Sequence, residues 1–169
     1  MLRFTAVDDG DIPQLRELAN VIWHAHYPGM ISREQIDYML ERLFAPETLR
    51  RELAAGAFWE LAWIGEQAVG FLCCLSEVEA RRVKLSKLYL LPAFHGRGLG
   101  REMLQHVKEH AASLKAREIY LTVNKRNATA IRAYQKAGFR IDAEKVADIG
   151  GGYVMDDCVM MFEMARGAR

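Results

Sequence analysis

Two spacings of hydrophobic residues alternate along the chain, and they predict a mixture of helices and strands. Apolar residues three or four positions apart predict helices over 12–23, 36–44, 99–114 and 128–137, with a further short helix over 47–55. Alternating or short apolar runs predict strands over 2–7, 58–64, 68–75, 83–91, 118–123, 139–146 and 153–164. This order of elements favours a mixed α/β sheet with helices packed on both faces.

The segment that follows the strand over 83–91 carries the clearest chemical signal. There the chain passes through Pro92 and the run His95-Gly96-Arg97-Gly98-Leu99-Gly100-Arg101 into a helix. The first N–H groups of a helix have no intrahelical partner, and the helix dipole adds partial positive charge. Such a helix start suits a phosphate or diphosphate group. Arg97 and Arg101 further favour an anionic ligand.

Two common phosphate-binding loops do not fit this spacing. A Walker loop ends in Gly-Lys-Ser/Thr, whereas Gly100 is followed by Arg101 and Glu102. The dinucleotide fingerprint requires a third glycine where Arg101 stands, close to the start of a Rossmann domain. Taken alone, the glycine run is also compatible with a turn that binds nothing.

A second segment narrows the choice of ligand. The strand over 118–123 is followed by Asn127, Ala130, Tyr134 and the pair Gly138-Phe139. Asn127 is suited to cap a helix, and Gly138 is suited to follow its last turn. Two motifs, each behind a strand and in this order, are more specific than either one alone.

Together these two segments resemble the motifs of the GNAT superfamily of N-acetyltransferases. The run from His95 to Gly100 resembles Arg/Gln-x-x-Gly-x-Gly/Ala after the family's fourth strand, and the second segment resembles the run after its fifth strand. The resemblance implies a central mixed, mostly antiparallel sheet of about seven strands, with splayed fourth and fifth strands. It also implies that residues 1–169 form a single N-acetyltransferase domain, in agreement with the chain length.

The resemblance also implies how the donor, acetyl-CoA, is bound. Backbone groups of Leu88, Tyr89 and Leu90 would pair with the pantetheine amides, as in strand addition. The pyrophosphate would be held by the loop residues His95, Gly96, Arg97, Gly98, Leu99, Gly100 and Arg101. Asn127 and Tyr134 would contact the cofactor, and Tyr134 would act as the general acid toward the departing thiolate. No metal is expected at the site.

The proton acceptor and the acetyl acceptor remain open at this stage. His95 replaces the family's usual Arg or Gln, and Lys84 stands where many polyamine-acetylating relatives carry Glu. Candidates for a base are His24, His26, Glu77, Glu79 or a water chain, and each side chain has an ordinary packing or surface role as its alternative. His24, His26, Tyr27 and Asp148 are the candidates for contact with the acceptor. The acidic, glycine-rich stretch over 148–157 resembles the tail of the polyamine-acetylating branch, or is simply a hairpin with solvated acids.

The predicted function is therefore acetyl-CoA-dependent transfer of an acetyl group to a primary amine by direct attack. The amine belongs to a small molecule or a peptide, and polyamine, aminosugar, peptide N-terminus and lysine all stay open. One alternative is a non-catalytic module that senses acyl-CoA. Another is a generic nucleotide-binding α/β protein.

Composition restricts the partners and the compartment. The 169 residues carry a formal net charge of +1 with a pI near 7.8, which argues against nucleic acid as the partner. Cys73, Cys74 and Cys158 lack the spacing of a metal site or a disulfide framework, so we expect buried, reduced thiols. Without a signal-like or membrane-spanning apolar run, we expect a cytoplasmic protein, monomeric or homodimeric, with no membrane partner.

Overall fold

The computed structural model describes residues 1–165, which form seven strands and five helices. The strands are β1 (Arg3–Ala6), β2 (Phe58–Ile64), β3 (Gln67–Glu77), β4 (Arg82–Leu90), β5 (Glu118–Asn124), β6 (Arg140–Gly150) and β7 (Tyr153–Glu163). The helices are α1 (Ile12–His26), α2 (Arg33–Leu43), α3 (Pro46–Ala54), α4 (Leu99–Ser113) and α5 (Ala128–Lys136). Short 3-10 turns cover Asp9–Asp11 and Pro92–Phe94. The predicted order of elements is confirmed.

All seven strands belong to one sheet, in the order β1-β2-β3-β4-β5-β7-β6. The pairs β1/β2, β2/β3, β5/β7 and β6/β7 are antiparallel, and β4/β5 is parallel. The ladder between β4 and β5 covers only three residue pairs, from Arg82–Glu118 to Lys84–Tyr120. Both strands continue beyond that point, so the predicted splaying of the fourth and fifth strands is confirmed.

The boundaries of α5 follow from residues that satisfy its terminal backbone groups. The Asn127 side chain accepts a hydrogen bond from Ala130 N–H at 3.2 Å, as predicted for a cap. At the other end Gly138 has a φ of 93°, and Phe139 N–H bonds to the Tyr134 carbonyl at 3.0 Å. This is the arrangement of a Schellman motif, which favours glycine at the left-handed position.

The last hairpin is longer than the hydrophobic pattern indicates. The sequence predicts that the sixth strand ends at Val146, but β6 continues to Gly150. The extension is held by pairing with β7, including Asp148 with Val154 and Gly150 with Tyr153. Cross-strand hydrogen bonding therefore overrides the weak strand propensity of a glycine-rich segment.

The chain divides into two compact units, each with its own set of buried apolar side chains. One unit comprises Met1–Cys74 and Lys87–Met103, and the other comprises Leu75–Ser86 and the described residues from Leu104 to 165. Fully buried side chains of the first unit include Leu15, Ile22, Phe44, Leu61 and Phe71. Those of the second unit include Ile119, Leu121 and Met160.

The three cysteines are buried and form no disulfide among the described residues, which confirms their prediction as small core residues. Burial raises the pKa of the Cys74 thiol, with smaller contributions from Cys73 and Glu60. Within residues 1–165, every helix is too short or too polar to cross a membrane.

Candidate active site

The glycine-rich loop after β4 opens directly into the first turn of α4. Gly96 and Gly98 have φ values of 75° and 79°, and a Cβ at either position would meet no atom within 4 Å. These glycines are therefore required by backbone conformation rather than by lack of space. The first α4 hydrogen bond runs from Glu102 N–H to the Gly98 carbonyl at 3.1 Å. The N–H groups of residues 99–101 precede this ladder, which is the geometry of an anion site.

Two arginines add positive charge to the same loop. The Arg97 guanidinium lies 5.3 Å from the centre of the Phe94 ring and is exposed, as is Arg101. A cation over an aromatic face keeps its charge while its orientation is restricted. The loop therefore offers backbone donors and exposed cations together, which is a combination that suits a diphosphate.

His95 connects this loop to the end of β4. Its Nε2 lies 2.9 Å from the Leu90 carbonyl oxygen, and an N–H on that nitrogen donates to the carbonyl. Burial and the neighbouring His95 lower the pKa of His26, the last residue of α1. His26 is therefore neutral near pH 7 and able to accept a proton. A hydrogen bond from His95 to phosphate stays a prediction, because here the ring fixes the loop instead.

The side chain of Tyr89 is held on β4 by an aromatic cluster. Its hydroxyl lies 3.0 Å from that of Tyr27, and its ring centre lies 5.6 Å from Trp23 and 5.3 Å from Phe71. The Trp23 indole N–H is buried and has no hydrogen-bond partner among the described residues. The cluster makes the end of β4 rigid, which is what positions backbone donors for a ligand.

A buried charge lies on the same face of β4, two residues before Tyr89. Lys87 Nζ is 3.4 Å from Glu52 Oε2 and 4.6 Å from the centre of the Trp59 ring. The Trp59 indole N–H donates to the same carboxylate oxygen at 3.1 Å. This pair joins α3 to β4, and loss of the Glu52 carboxylate would remove a compensating charge from a buried ammonium group.

The second of the two motifs described from the sequence lies in the other compact unit, on α5. Asn127 is buried, and its N–H donates to the Asn124 carbonyl at 2.9 Å. Tyr134 is half-buried, and its ring centre lies 5.7 Å from that of Phe139. Tyr134 thus packs through its ring, and the partial exposure is compatible with a phenol that also meets a ligand.

Several predicted base candidates are occupied by other roles. The Glu77 carboxylate accepts hydrogen bonds from the Tyr120 hydroxyl and from Arg82, and these bonds lower the pKa of Glu77. His24 contacts an acceptor with each ring nitrogen, the Asn20 carbonyl at 2.9 Å and Asp37 at 2.8 Å. Both ring nitrogens of His24 and both carboxylate oxygens of Glu77 are thus engaged within the fold, which argues against either residue as the base.

The two remaining acidic candidates lie on turns. Asp148 accepts a hydrogen bond from Gly150 N–H at 2.8 Å, which is a turn-forming contact, and Glu79 is exposed between β3 and β4. Among the described residues, no group of three His, Cys, Asp or Glu side chains is arranged to hold a metal ion.

Sequence reasoning missed two features of this region. Gly70 on β3 sits where a Cβ would lie 2.4 Å from the Tyr89 carbonyl oxygen, so only glycine allows this approach. An isolated glycine within a strand pattern is the signal that indicates it. The pairing of Lys87 with Glu52 had no such signal, because 35 residues separate them.

Comparison with known proteins decides the family. Residues 13–139 match the acetyltransferase (GNAT) family. The chain belongs to this family. The match covers the glycine loop and extends through Tyr134 to Phe139, so it includes both segments that carried the resemblance in sequence.

Individual relatives agree with membership of the GNAT family. An uncharacterized N-acetyltransferase of Mycobacterium tuberculosis is 39% identical over 84 residues, which cover 50% of this chain and 53% of that protein. The spermine/spermidine N(1)-acetyltransferase of Bacillus subtilis is 39% identical over 75 residues, 44% of this chain and 48% of that protein. The chain thus spans about half the length of these relatives.

The fold is also that of GNAT proteins of known structure. PaiA N-acetyltransferase from Thermoplasma acidophilum, solved in complex with coenzyme A, superimposes with a TM-score of 0.82 at 21% identity. The superposition covers 96% of this chain and 99% of that chain. The predicted seven-stranded architecture is therefore confirmed.

Proposed function

We propose that this chain is an acetyl-CoA-dependent N-acetyltransferase that acetylates a primary amine by direct attack. The observation that supports the proposal most is the glycine loop, in which two left-handed glycines lead into α4. The first N–H groups of α4 are not used by the helix. Such a group of donors suits the diphosphate of coenzyme A. Family membership over residues 13–139 supports the same chemistry.

Each residue predicted to bind the donor has a role in this proposal. His95, Gly96, Arg97, Gly98, Leu99, Gly100 and Arg101 hold the diphosphate, and the backbone of Leu88, Tyr89 and Leu90 pairs with the pantetheine arm. Asn127 and Tyr134 contact the donor from α5. A backbone N–H near Tyr89 or Leu90 stabilises negative charge on the thioester oxygen during attack.

The reaction requires a neutral amine and a proton for the leaving group. The amine nitrogen attacks the thioester carbonyl carbon, a C–N bond forms and the C–S bond breaks. Tyr134 donates its hydroxyl proton to the sulfur and regains a proton from the nitrogen. An alkyl thiolate is basic enough to take a proton from a phenol of pKa ~10.

The acceptor is proposed only as a primary amine of a small molecule or peptide. The spermine/spermidine acetyltransferase of Bacillus subtilis makes a polyamine one member of that class. We further propose that residues 1–169 act as one N-acetyltransferase domain, because the family match extends through both compact units. A cytoplasmic location and a monomeric or homodimeric state remain part of the proposal.

The experiment measures release of free thiol from acetyl-CoA in the presence of spermidine, an aminoglycoside, free amino acids or short peptides. We expect thiol release with at least one of these amines and a mass increase of that amine by one acetyl group. Binding of acetyl-CoA without release for any amine would favour the alternative of an acyl-CoA sensor. Absence of both binding and release would contradict the proposed use of the loop.

A further inference from the structure

One carboxylate in the second compact unit has a buried oxygen without a hydrogen-bond partner among the described residues. Asp157 lies on β7, and its Oδ1 is buried without a hydrogen-bond partner among residues 1–165. Buried carboxylate oxygens are nearly always paired, because an unpaired one loses its hydration without compensation. An unpaired oxygen of this kind in a native fold requires an explanation.

The neighbours of Asp157 on the sheet do not supply that explanation. Its cross-strand partners are Asn124 on β5 and Lys145 on β6. Burial, with a smaller contribution from Asp156, raises the pKa of Asp157, while Lys145 lowers it to a lesser extent. The fold therefore holds a carboxylate in surroundings that disfavour its charge.

The adjacent Asp156, on the same strand, is a carboxylate with a structural role and serves as a comparison. Asp156 lies on the opposite face of β7 and is exposed. Its Oδ1 is 2.7 Å from Lys125 Nζ, and Glu144 lies 2.7 Å from the same ammonium. Asp156 is thus explained by an ion pair, whereas Asp157 is not.

The position of Asp157 associates it with the α5 segment. Its partner Asn124 is the last residue of β5, and the Asn124 carbonyl accepts the N–H of Asn127, which caps α5. In α/β sheets, ligands bind outside the carboxyl ends of parallel strands. Asp157 thus lies at the ligand-binding end of β5, on the strand beside it.

We propose that Asp157 binds the acceptor as an ammonium ion and removes a proton from it. This inference rests on the proposed function. The Asp157 carboxylate takes one N–H proton, and the nitrogen lone pair then forms the C–N bond as the C–S bond breaks. The second proton on nitrogen replaces the one that Tyr134 gives to sulfur, and Asp157 releases its proton to solvent. One ammonium ion and one thioester thus yield one amide, one thiol and one proton.

The test compares Asp157→Asn with Asp156→Asn in the full chain. With the best amine among spermidine, an aminoglycoside, amino acids and short peptides, we expect D157N to lower kcat/KM for the amine by about 100-fold or more. Acetyl-CoA affinity, measured by calorimetry, should not change. D156N should leave both kcat/KM and acetyl-CoA affinity unchanged. D157E, which retains a carboxylate, should recover part of the lost kcat/KM.

Thermal unfolding supplies a second readout. Burial raises the pKa of Asp157 in the folded state. The free energy of unfolding therefore falls as pH rises through that pKa, because the native state then carries a poorly solvated charge. Near pH 7, D157N removes this loss of stability. We therefore expect an unchanged or higher Tm for D157N. A lower Tm, or a variant that does not fold, would show a structural partner and overturn the proposal.

The two possible failures differ in their results. If the unaltered chain releases no thiol with any amine, the proposed function fails and the role of Asp157 fails with it. If the unaltered chain is active and D157N is equally active, only the assignment of Asp157 is overturned.

Discussion

At the scale of single residues, the hydrogen-bond partners decide which candidates are available for chemistry. Glu77 is fixed by the Tyr120 hydroxyl and by Arg82, whose guanidinium also lies 4.9 Å from the Tyr120 ring centre. Burial, followed by the hydrogen bond to Glu77, raises the pKa of Tyr120 to about 12. Both groups thus keep their charge states through the neutral range, which suits a structural contact and not proton transfer.

Replacement of Glu77 by Gln should make this structural role visible as a function of pH. The pKa of Glu77 is lowered in the folded state, so its stabilisation is present above the unfolded value of about 4.3 and is lost as pH falls through the lower folded value. We expect E77Q to cost about 1 kcal/mol of unfolding free energy at pH 7, since the group is partly exposed. The difference should shrink below about pH 4.

Urea unfolding at a series of pH values measures this effect. Glu79→Gln, which removes an exposed carboxylate from the neighbouring turn, is the matched control. Full stability of E77Q at pH 7 would contradict the structural role.

Tyr134 is the residue on which the proposed acid catalysis depends. We expect Tyr134→Phe to lower kcat for thiol release by about 100-fold, since only the hydroxyl is removed and general acids contribute 10²–10⁴-fold. Acetyl-CoA affinity should persist, because ring packing against Phe139 is retained. Tyr38→Phe, on α2, is the control for loss of a phenol elsewhere. Unchanged turnover in Y134F would rule out this hydroxyl as the acid.

At the scale of elements, the glycine loop and the start of α4 act as one unit. Gly98 supplies a left-handed backbone at the residue whose carbonyl accepts the first α4 hydrogen bond. A side chain at this position has space but not a favourable φ. The direction of the N–H groups in the first turn of α4 therefore depends on this one dihedral angle.

Gly98→Ala should accordingly weaken acetyl-CoA binding. We expect the left-handed conformation of the alanine to cost about 1–2 kcal/mol of free energy. The variant either loses this stability or shifts the loop to avoid the strain. Gly56→Ala, which follows α3 with a φ of 83° and equally open surroundings, is the matched control for strain alone. Calorimetry should show reduced acetyl-CoA affinity for G98A and unchanged affinity for G56A. Equal affinities in the two variants would contradict the role of the loop.

At the scale of the whole molecule, a ligand that binds only the folded chain stabilises it by mass action. At a concentration of 100 times its Kd, acetyl-CoA should add about 2.7 kcal/mol. For a chain of this size that corresponds to a rise in Tm of about 5–10 °C. ATP and NAD should produce smaller shifts, because they lack the pantetheine arm that we propose pairs with β4. Equal or larger shifts with ATP or NAD would favour a generic nucleotide-binding protein.

The sequence by itself determined those features that depend on neighbours along the chain. Helical and alternating spacings located the elements, Asn127 and Gly138 marked the ends of α5, and the glycines of the loop predicted an anion site. Each of these rests on local backbone geometry, which a few consecutive residues control. The two motifs in order were enough to indicate the GNAT family and its sheet.

Tertiary structure alone decided which side chains share an environment. Pairing of β6 with β7 extended the hairpin to Gly150 and brought Lys145 beside Asp157, and pairing of β5 with β7 brought Asn124 beside it. One oxygen of Asp157 has no hydrogen-bond partner among residues 1–165. Contacts distant in sequence likewise occupied His24 and Glu77, which the sequence left open as bases. Burial and hydrogen-bond partners depend on strand register and packing across the fold, and no local pattern of residues encodes them.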